Sequence, residues 1–179
     1  RIREGLQRIQ DLLREVTAFS AGDDGIGLVD VNAVASAALR IVRLDDRLRG
    51  NHFTAALDPS LPAVEFSRPA MTLAVFSLLS MGAALLRDSR GTVAVTSLGD
   101  AEAVELRITV AAALPEDGAA PAPQCVPALT DLAKHQTLQS LVRVMRGMGG
   151  ELVLYTMEAD ALDIRLRFPV VKEGDGDRV

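Results

Sequence analysis

Cysteine is almost missing from this sequence. Cys125 is the single one in 179 residues. Neither an intramolecular disulfide framework nor a Cys-cluster zinc site can be built from it, and the compartment it fits is a reducing cytoplasm. A surplus of cations is missing too. With 19 Lys and Arg against 24 Asp and Glu the formal net charge is −5, which argues against a general binder of nucleic-acid backbone. No uninterrupted apolar run approaches the about 18 residues of a membrane-spanning helix, so no membrane contact is expected. No Lys/Arg-then-apolar leader opens the sequence, and phosphate-loop and dinucleotide glycine patterns do not occur. The first residue is Arg1 rather than Met, and we read the chain as a piece of something longer. What is present is globular: 49% hydrophobic and 24% charged residues, enough for one domain with a short appendage.

Ile2, Leu6, Ile9, Leu13 and Val16 step by four, three, four and three, the seam of a helix that packs on partner helices. Leu12 and Phe19 widen that stripe. Residues 20–27 are rich in turn formers, and residues 20–30 are assigned as a linker. Asp30 can cap a helix with Val31, Val34, Ala38, Ile41, Leu44 and Leu48 on its buried face, ending near Gly50. A strand is expected over His52–Leu57, a proline turn at Asp58–Pro62, and a short strand over Ala63–Phe66. A second helix of this unit starts after Pro69 and runs to about Arg87, apolar on most sides. From Gly91 the period changes to two, giving a hairpin of Val93, Val95, Ser97 against Val104, Leu106, Ile108 and Val110 about Leu98–Asp100. A long proline-bearing loop over 112–126 leads to a third helix over about Ala128–Arg146, stopped by Gly147–Gly150. A last hairpin joins Glu151–Met157 to Leu162–Phe168, and residues 172–179 form a charged tail. The fold class is α+β: a two-layer sandwich with a mixed, mostly antiparallel sheet of about five strands backed by three helices over 31–171.

This order of elements resembles the end of a bacterial sensor histidine kinase, from the tail of the dimerisation helix through the catalytic, ATP-binding domain. Ile9-Gln10-Asp11-Leu12-Leu13 with Phe19-Ser20 resembles the end of the second dimerisation helix. Val29-Asp30-Val31-Asn32 is similar to the family's Val-Asp-Leu-Asn entry, and Leu57-Asp58-Pro59-Ser60-Leu61-Pro62 to its Leu-x-Pro-x-Leu-Pro turn. Met148-Gly149-Gly150-Glu151-Leu152 sits where the family has His-Gly-Gly-x-Leu, and Arg165-Leu166-Arg167-Phe168-Pro169-Val170 resembles the closing strand. The resemblance implies ATP or ADP as ligand with Mg²⁺ held weakly, a homodimer through the Ile2, Leu6, Ile9, Leu13, Val16 seam, and a response-regulator receiver domain as partner. It places the chain in the cytoplasm, with the phosphoacceptor His outside it.

The family's chemical boxes are altered. Its N box, Asn-Leu-Leu-x-Asn-Ala, falls on Ser77-Leu78-Leu79-Ser80-Met81-Gly82. Ser77 can hydrogen-bond a phosphate, but a Met81 thioether is a poor ligand for a hard cation. Where the first glycine box would supply an Asp for the adenine amino group, Ala111-Ala112-Ala113 offer no acceptor. The second glycine box aligns with His135-Gln136-Thr137-Leu138, of which the Leu alone is kept. Asp23-Asp24-Gly25-Ile26-Gly27 spells the first box but lies before the first helix of the domain, where turn formation explains it. By position, nucleotide contacts are expected from Ser77, Ser80, Met81, Arg87, Ala112, Asp117, Lys134, His135, Gln136 and Thr137. Two readings of Lys134–Thr137 stand: a helix N-terminus facing phosphate, or a turn of a helix already begun at Ala128. His52 is read as a strand residue at the sheet margin, and Cys125 as a small apolar side chain. Three functions follow: a divergent kinase domain, a pseudokinase that dimerises and docks a response regulator or kinase, or a related ATPase or phosphotransferase.

Overall fold

The computed structural model describes residues 25–45, 48, 50–86, 91–112, 135–157 and 161–170. Its first element is a strand, β1 (Ile26–Val29), which pairs antiparallel with β3 (Val64–Ser67) in the register Gly27↔Phe66 and Val29↔Val64. A strand thus occupies 26–29 within the stretch expected to be a linker, 20–30, of which 20–24 lie outside the described residues. The glycines around Ile26 and Leu28 mask a strand too short to show periodicity, and Val29 anchors it at 2% exposure.

Asp30 then caps α1 (Val31–Arg43), its carboxylate accepting from the Asn32 and Ala33 N–H groups at 2.8 and 3.1 Å. The helix ends at Arg43, well before the expected Gly50, with Arg40 and Arg43 in its last turn, where cations suit the helix dipole. Its buried face is Val31, Val34, Ala35, Ala38, Leu39 and Val42. Ile41 and Leu44, expected inside, are 52% and 80% exposed. The series 31, 34, 38, 41, 44 advances more slowly than 3.6 residues per turn and walks off the packed face.

After β2 (His52–Ala56) and β3, Ser67 caps α2 (Arg68–Leu85) through the Ala70 N–H, with Pro69 in the first turn. By length and apolarity α2 would pass for a membrane span, yet half of it is buried within the fold. It is the central core helix. The five-stranded sheet adds β4 (Gly91–Gly99), β5 (Ala103–Ala112), β6 (Glu151–Met157) and β7 (Ala161–Pro169) in the order β2-β4-β5-β7-β6. β2 runs parallel to β4 and every other pair is antiparallel. Val93, Val95, Val104, Leu106, Ile108, Val110, Leu162, Ile164, Leu166 and Phe168 turn to the helices and are fully buried. Phe168 meets Phe66 edge-on, with ring centroids 5.1 Å apart. The opposite sheet face carries Glu105, Arg107, Asp163 and Arg165. The expected two-layer α+β sandwich with three helices is the observed architecture.

α3 (Gln136–Gly147) starts later than the expected 128, because His135 is extended at φ −68°, ψ 121° and cannot continue a helix from the residues before it. It stops in a Schellman turn: Gly150 N–H donates to Met145 O at 2.9 Å, Gly149 N–H to Arg146 O at 3.1 Å, and Gly149 takes φ +79°.

Candidate functional site

The packing fixes which ends of the helices meet. A Cβ at Gly82 would stand 2.7 Å from Val110 Cγ2, and one at Gly91 would stand 2.7 Å from both Ala111 O and Leu86 Cδ2. The last turns of α2 therefore rest on the Gly91 and Ala112 end of the sheet. At the other end a Cβ at Gly150 would meet Met145 Cε at 2.9 Å, Phe66 Cε2 at 3.2 Å and Arg167 O at 3.3 Å. That is where α3 finishes, so α3 begins at the same end as α2 finishes, and the two helices pack together.

Three side-chain atoms on these elements are buried without a hydrogen-bond partner among the described residues: Ser77 Oγ, Thr137 Oγ1 and His135 Nδ1. Ser77 is 1% and Thr137 5% exposed. A buried hydroxyl left unpaired costs about 1–3 kcal/mol, so its retention on two facing elements needs a reason. His135 is the N-cap of α3 but makes no side-chain cap hydrogen bond. The His135 side chain thus leaves the first-turn N–H groups of α3 uncapped, with the positive end of the helix dipole behind them. Gln136 is exposed, Ser80 half-buried, and Met81 half-buried against the hydrophobic core. Ala112 ends β5 opposite Gly91. Arg87, Asp117 and Lys134 lie outside the described residues, as do Cys125 and the seam residues Ile2, Leu6, Ile9, Leu13 and Val16.

Two residues of this end escaped the sequence reading. Gly82 is the contact that lets α2 settle on β5, and its signal was a lone glycine inside an apolar helix. Asn51 donates from Nδ2 to Ala83 O at 3.0 Å while its Oδ1 stays buried and unpartnered. Nothing in the sequence pattern around Asn51 marked it. His52 lies exposed on the edge strand β2, as expected.

The donor set suits an anion better than a metal. Hydroxyls and backbone N–H groups can hold phosphate oxygens. Among the described residues no group of three or more His, Cys, Asp or Glu could hold a metal ion, and the Met81 thioether is a poor ligand for a hard cation. A concavity of about 210 Å³ lies at the far end of the sheet, lined by Glu102, Ala103, Gly149, Glu151, Arg167 and Pro169. It belongs to neither glycine box.

No protein-family model matches the sequence, and no curated protein matches it. Solved structures do. The Acinetobacter baumannii histidine kinase AdeS superposes with a TM-score of 0.66 at 15% identity, over 94% of this chain and 80% of that one. The catalytic domain of histidine kinase ThkA gives 0.61 at 14% identity, over 80% of this chain and 95% of that one. The mycobacterial sensor histidine kinase MprB gives 0.59 at 19% identity, over 80% and 97%. Identity at this level speaks for architecture alone: the chain has the fold of histidine kinase catalytic domains.

Proposed function

We propose that this chain is a divergent ATP-binding catalytic domain of a two-component sensor histidine kinase, serving phosphorylation of a His outside residues 1–179. The observation that carries the reading is the set of unpartnered buried atoms on two helices that pack together, Ser77 Oγ midway along α2 and Thr137 Oγ1 and His135 Nδ1 at the start of α3. Ser77 and Thr137 donate their hydroxyl protons to phosphate oxygens, and the α3 N–H groups add further donors to the same anion. His135 holds the chain extended at the helix entrance, so those N–H groups face outward. Adenine is held by shape and backbone contacts, because Ala111 and Ala112 offer no side-chain acceptor. Magnesium bound with nucleotide would supply charge neutralisation at the phosphates, and neither Met81 nor the alanines would offer it an oxygen ligand from a side chain.

The expected signature is modest affinity, poor discrimination between ATP and GTP, and a small magnesium effect. Titrating the purified chain with ATP and GTP, with and without Mg²⁺, measures all three. Tight, adenine-selective and strongly magnesium-dependent binding would mean that other residues form the site. A second reading, a pseudokinase that dimerises and docks a response regulator or partner kinase, is favoured by Met81 and the alanines in place of the family's Asn and Asp. It gains the case if no nucleotide binds at millimolar concentration.

The proposed partners are a second copy of the chain, through the seam of residues 1–19, and a receiver domain. ThkA, which shares this fold at a TM-score of 0.65, was solved in complex with the response regulator TrrA. The QseC neighbour is a cytoplasmic segment, and we place this chain in the cytoplasm likewise.

A further inference from the structure

β2 closes one side of the five-stranded sheet, and no strand pairs with its outer edge among the described residues. Phe53 packs against the core, so by alternation Ala55 shares the helix-facing side. Yet Ala55 is exposed, while Val95, opposite it in the register, is fully buried. The helix layer covers β4 there and leaves the flank of β2 open.

Two hydrogen bonds show what borders that opening. Asn32, in the first turn of α1, donates from Nδ2 to Asp58 O at 2.6 Å, just past the end of β2. Arg43, in the last turn, donates from Nη2 to Phe53 O at 2.8 Å, near the start of β2. α1 therefore runs alongside β2 in the opposite direction. At about 100° per residue, Asn32, Ser36, Leu39 and Arg43 fall within about 60° of one another, with Arg40 at the margin. Leu39 is buried, and Ser36, Arg40 and Arg43 are exposed. Neither arginine forms an ion pair among the described residues. The backbone groups of successive strand residues point to opposite edges, and Phe53 O is taken by Arg43, which assigns it to the free edge. Phe53 and Ala55 thus present N–H and C=O outward, with Thr54 turned to β4. Arg43 guards one of those carbonyls, as charged side chains do on natural sheet edges. It is a single exposed donor that a peptide N–H can replace.

We propose that the groove between α1 and β2 receives an extended acidic segment of a partner protein, which adds a strand to β2 while its carboxylates pair with Arg40 and Arg43. The main-chain ladder supplies affinity and the carboxylates supply selection. Arg43 gives up Phe53 O to a peptide N–H and gains a carboxylate, with which its hydrogen bonds are stronger. On a chain of net charge −5, this cationic flank is a local reversal of sign, and it favours an acidic partner over a basic one. The inference does not depend on nucleotide binding.

The test titrates the purified full chain into a fluorescein-labelled peptide of alternating Glu and Val, read by anisotropy. We expect saturable binding, at least about tenfold tighter than for the same peptide with Lys in place of Glu. Ala55→Pro removes an outward N–H that the β2–β4 ladder does not use, a place where an edge strand tolerates proline. It should weaken binding at least about tenfold with the thermal midpoint little changed. The double variant Arg40→Ala, Arg43→Ala, both at exposed positions, should erase the preference for Glu over Lys and reads the same groove without touching the backbone. No binding of the acidic peptide, equal affinity for the two peptides, or binding indifferent to either variant would each overturn the proposal. A chain that ignores the peptide but forms a dimer, lost on Ala55→Pro, would overturn it in favour of a second copy at this edge.

Discussion

Single residues at the turns carry stability that substitution can read. Gly149 closes the Schellman turn at φ +79°, a region that L side chains enter only with strain. Gly149→Ala should therefore cost about 1 kcal/mol, measured by urea unfolding. Gly82 poses the opposite question, since a helix normally gains about 1 kcal/mol from Gly→Ala. Here the new methyl would press on Val110, a β-branched and stiff neighbour. We expect Gly82→Ala to lose stability rather than gain it, and a rise in thermal midpoint would show that α2 is not seated as described. Acid sensitivity also has named residues. The Ser60 hydroxyl and N–H hold the Asp58 carboxylate below its usual range, and the Glu102 and Ala103 N–H groups do the same for Asp100. With folded values lowered, the stability these turns contribute is complete above about pH 4 and is lost as pH falls through those values. The double variant Asp58→Asn, Asp100→Asn should show a flatter decline in urea midpoint between about pH 5 and pH 2. An unchanged decline would assign the acid sensitivity elsewhere.

At the scale of elements, the N-terminus of α3 separates stability from binding. His135 occupies the N-cap without capping, so His135→Asp should close the free N–H groups and add about 1 kcal/mol to stability. The same carboxylate would sit where phosphate is proposed to bind. Nucleotide affinity should fall while the thermal midpoint rises, and His135→Ser should stabilise with a smaller loss of affinity. If affinity is indifferent to His135→Asp, the nucleotide does not use this helix end. Elements whose signal is periodic were legible in the sequence: α2, both long hairpins and the caps at Asp30 and Gly149 stand where alternation and turn chemistry put them. What escaped was set by tertiary context. β1 spans four residues beside glycines and shows no periodicity alone. α1 ends at Arg43 although the apolar run continues to Leu48, which packs against the core from beyond the helix. For the candidate site, the sequence marked Ser77, His135 and Thr137 by position but not Asn51, whose interest lies in a buried oxygen that only packing reveals.

Across the whole molecule, the sheet face away from the helices is tied by charge. Arg165 Nε donates to Asp163 Oδ2 at 2.8 Å and lies 3.9 Å from Glu105, and its guanidinium stacks over Tyr155 at 4.4 Å from the ring centroid. Arg107 reaches Glu105 at 3.3 Å and Asp163 at 3.7 Å. Asp163 is 1% exposed while both guanidiniums are about a third exposed. Asp163→Asn should therefore cost less than the about 3–5 kcal/mol of breaking a fully buried pair, yet clearly more than Glu105→Gln at the rim. Equal losses in urea unfolding would mean that the four charges act as one surface network. In the other layer Phe168→Ala, which removes the ring facing Phe66, should cost about 3–5 kcal/mol.

The parallel pairing of β2 with β4 has a kinetic consequence. Only three positions separate β4 from β5, and only three separate β6 from β7, whereas His52 must meet Thr92 across 40 positions that include β3 and α2. Loop closure over that length comes late on a folding path, and β2 has little buried surface to hasten it, with Phe53 its one residue packed against the core. The edge strand is thus the last to be added and the first to leave. In native-state hydrogen exchange the amides of β2 should open at lower free energy than those of β5 and β7, which pair on both sides. Since Asn51 leads into β2 and holds the last turn of α2 through Ala83 O, each such opening also loosens the end of the helix on which Ser77 stands.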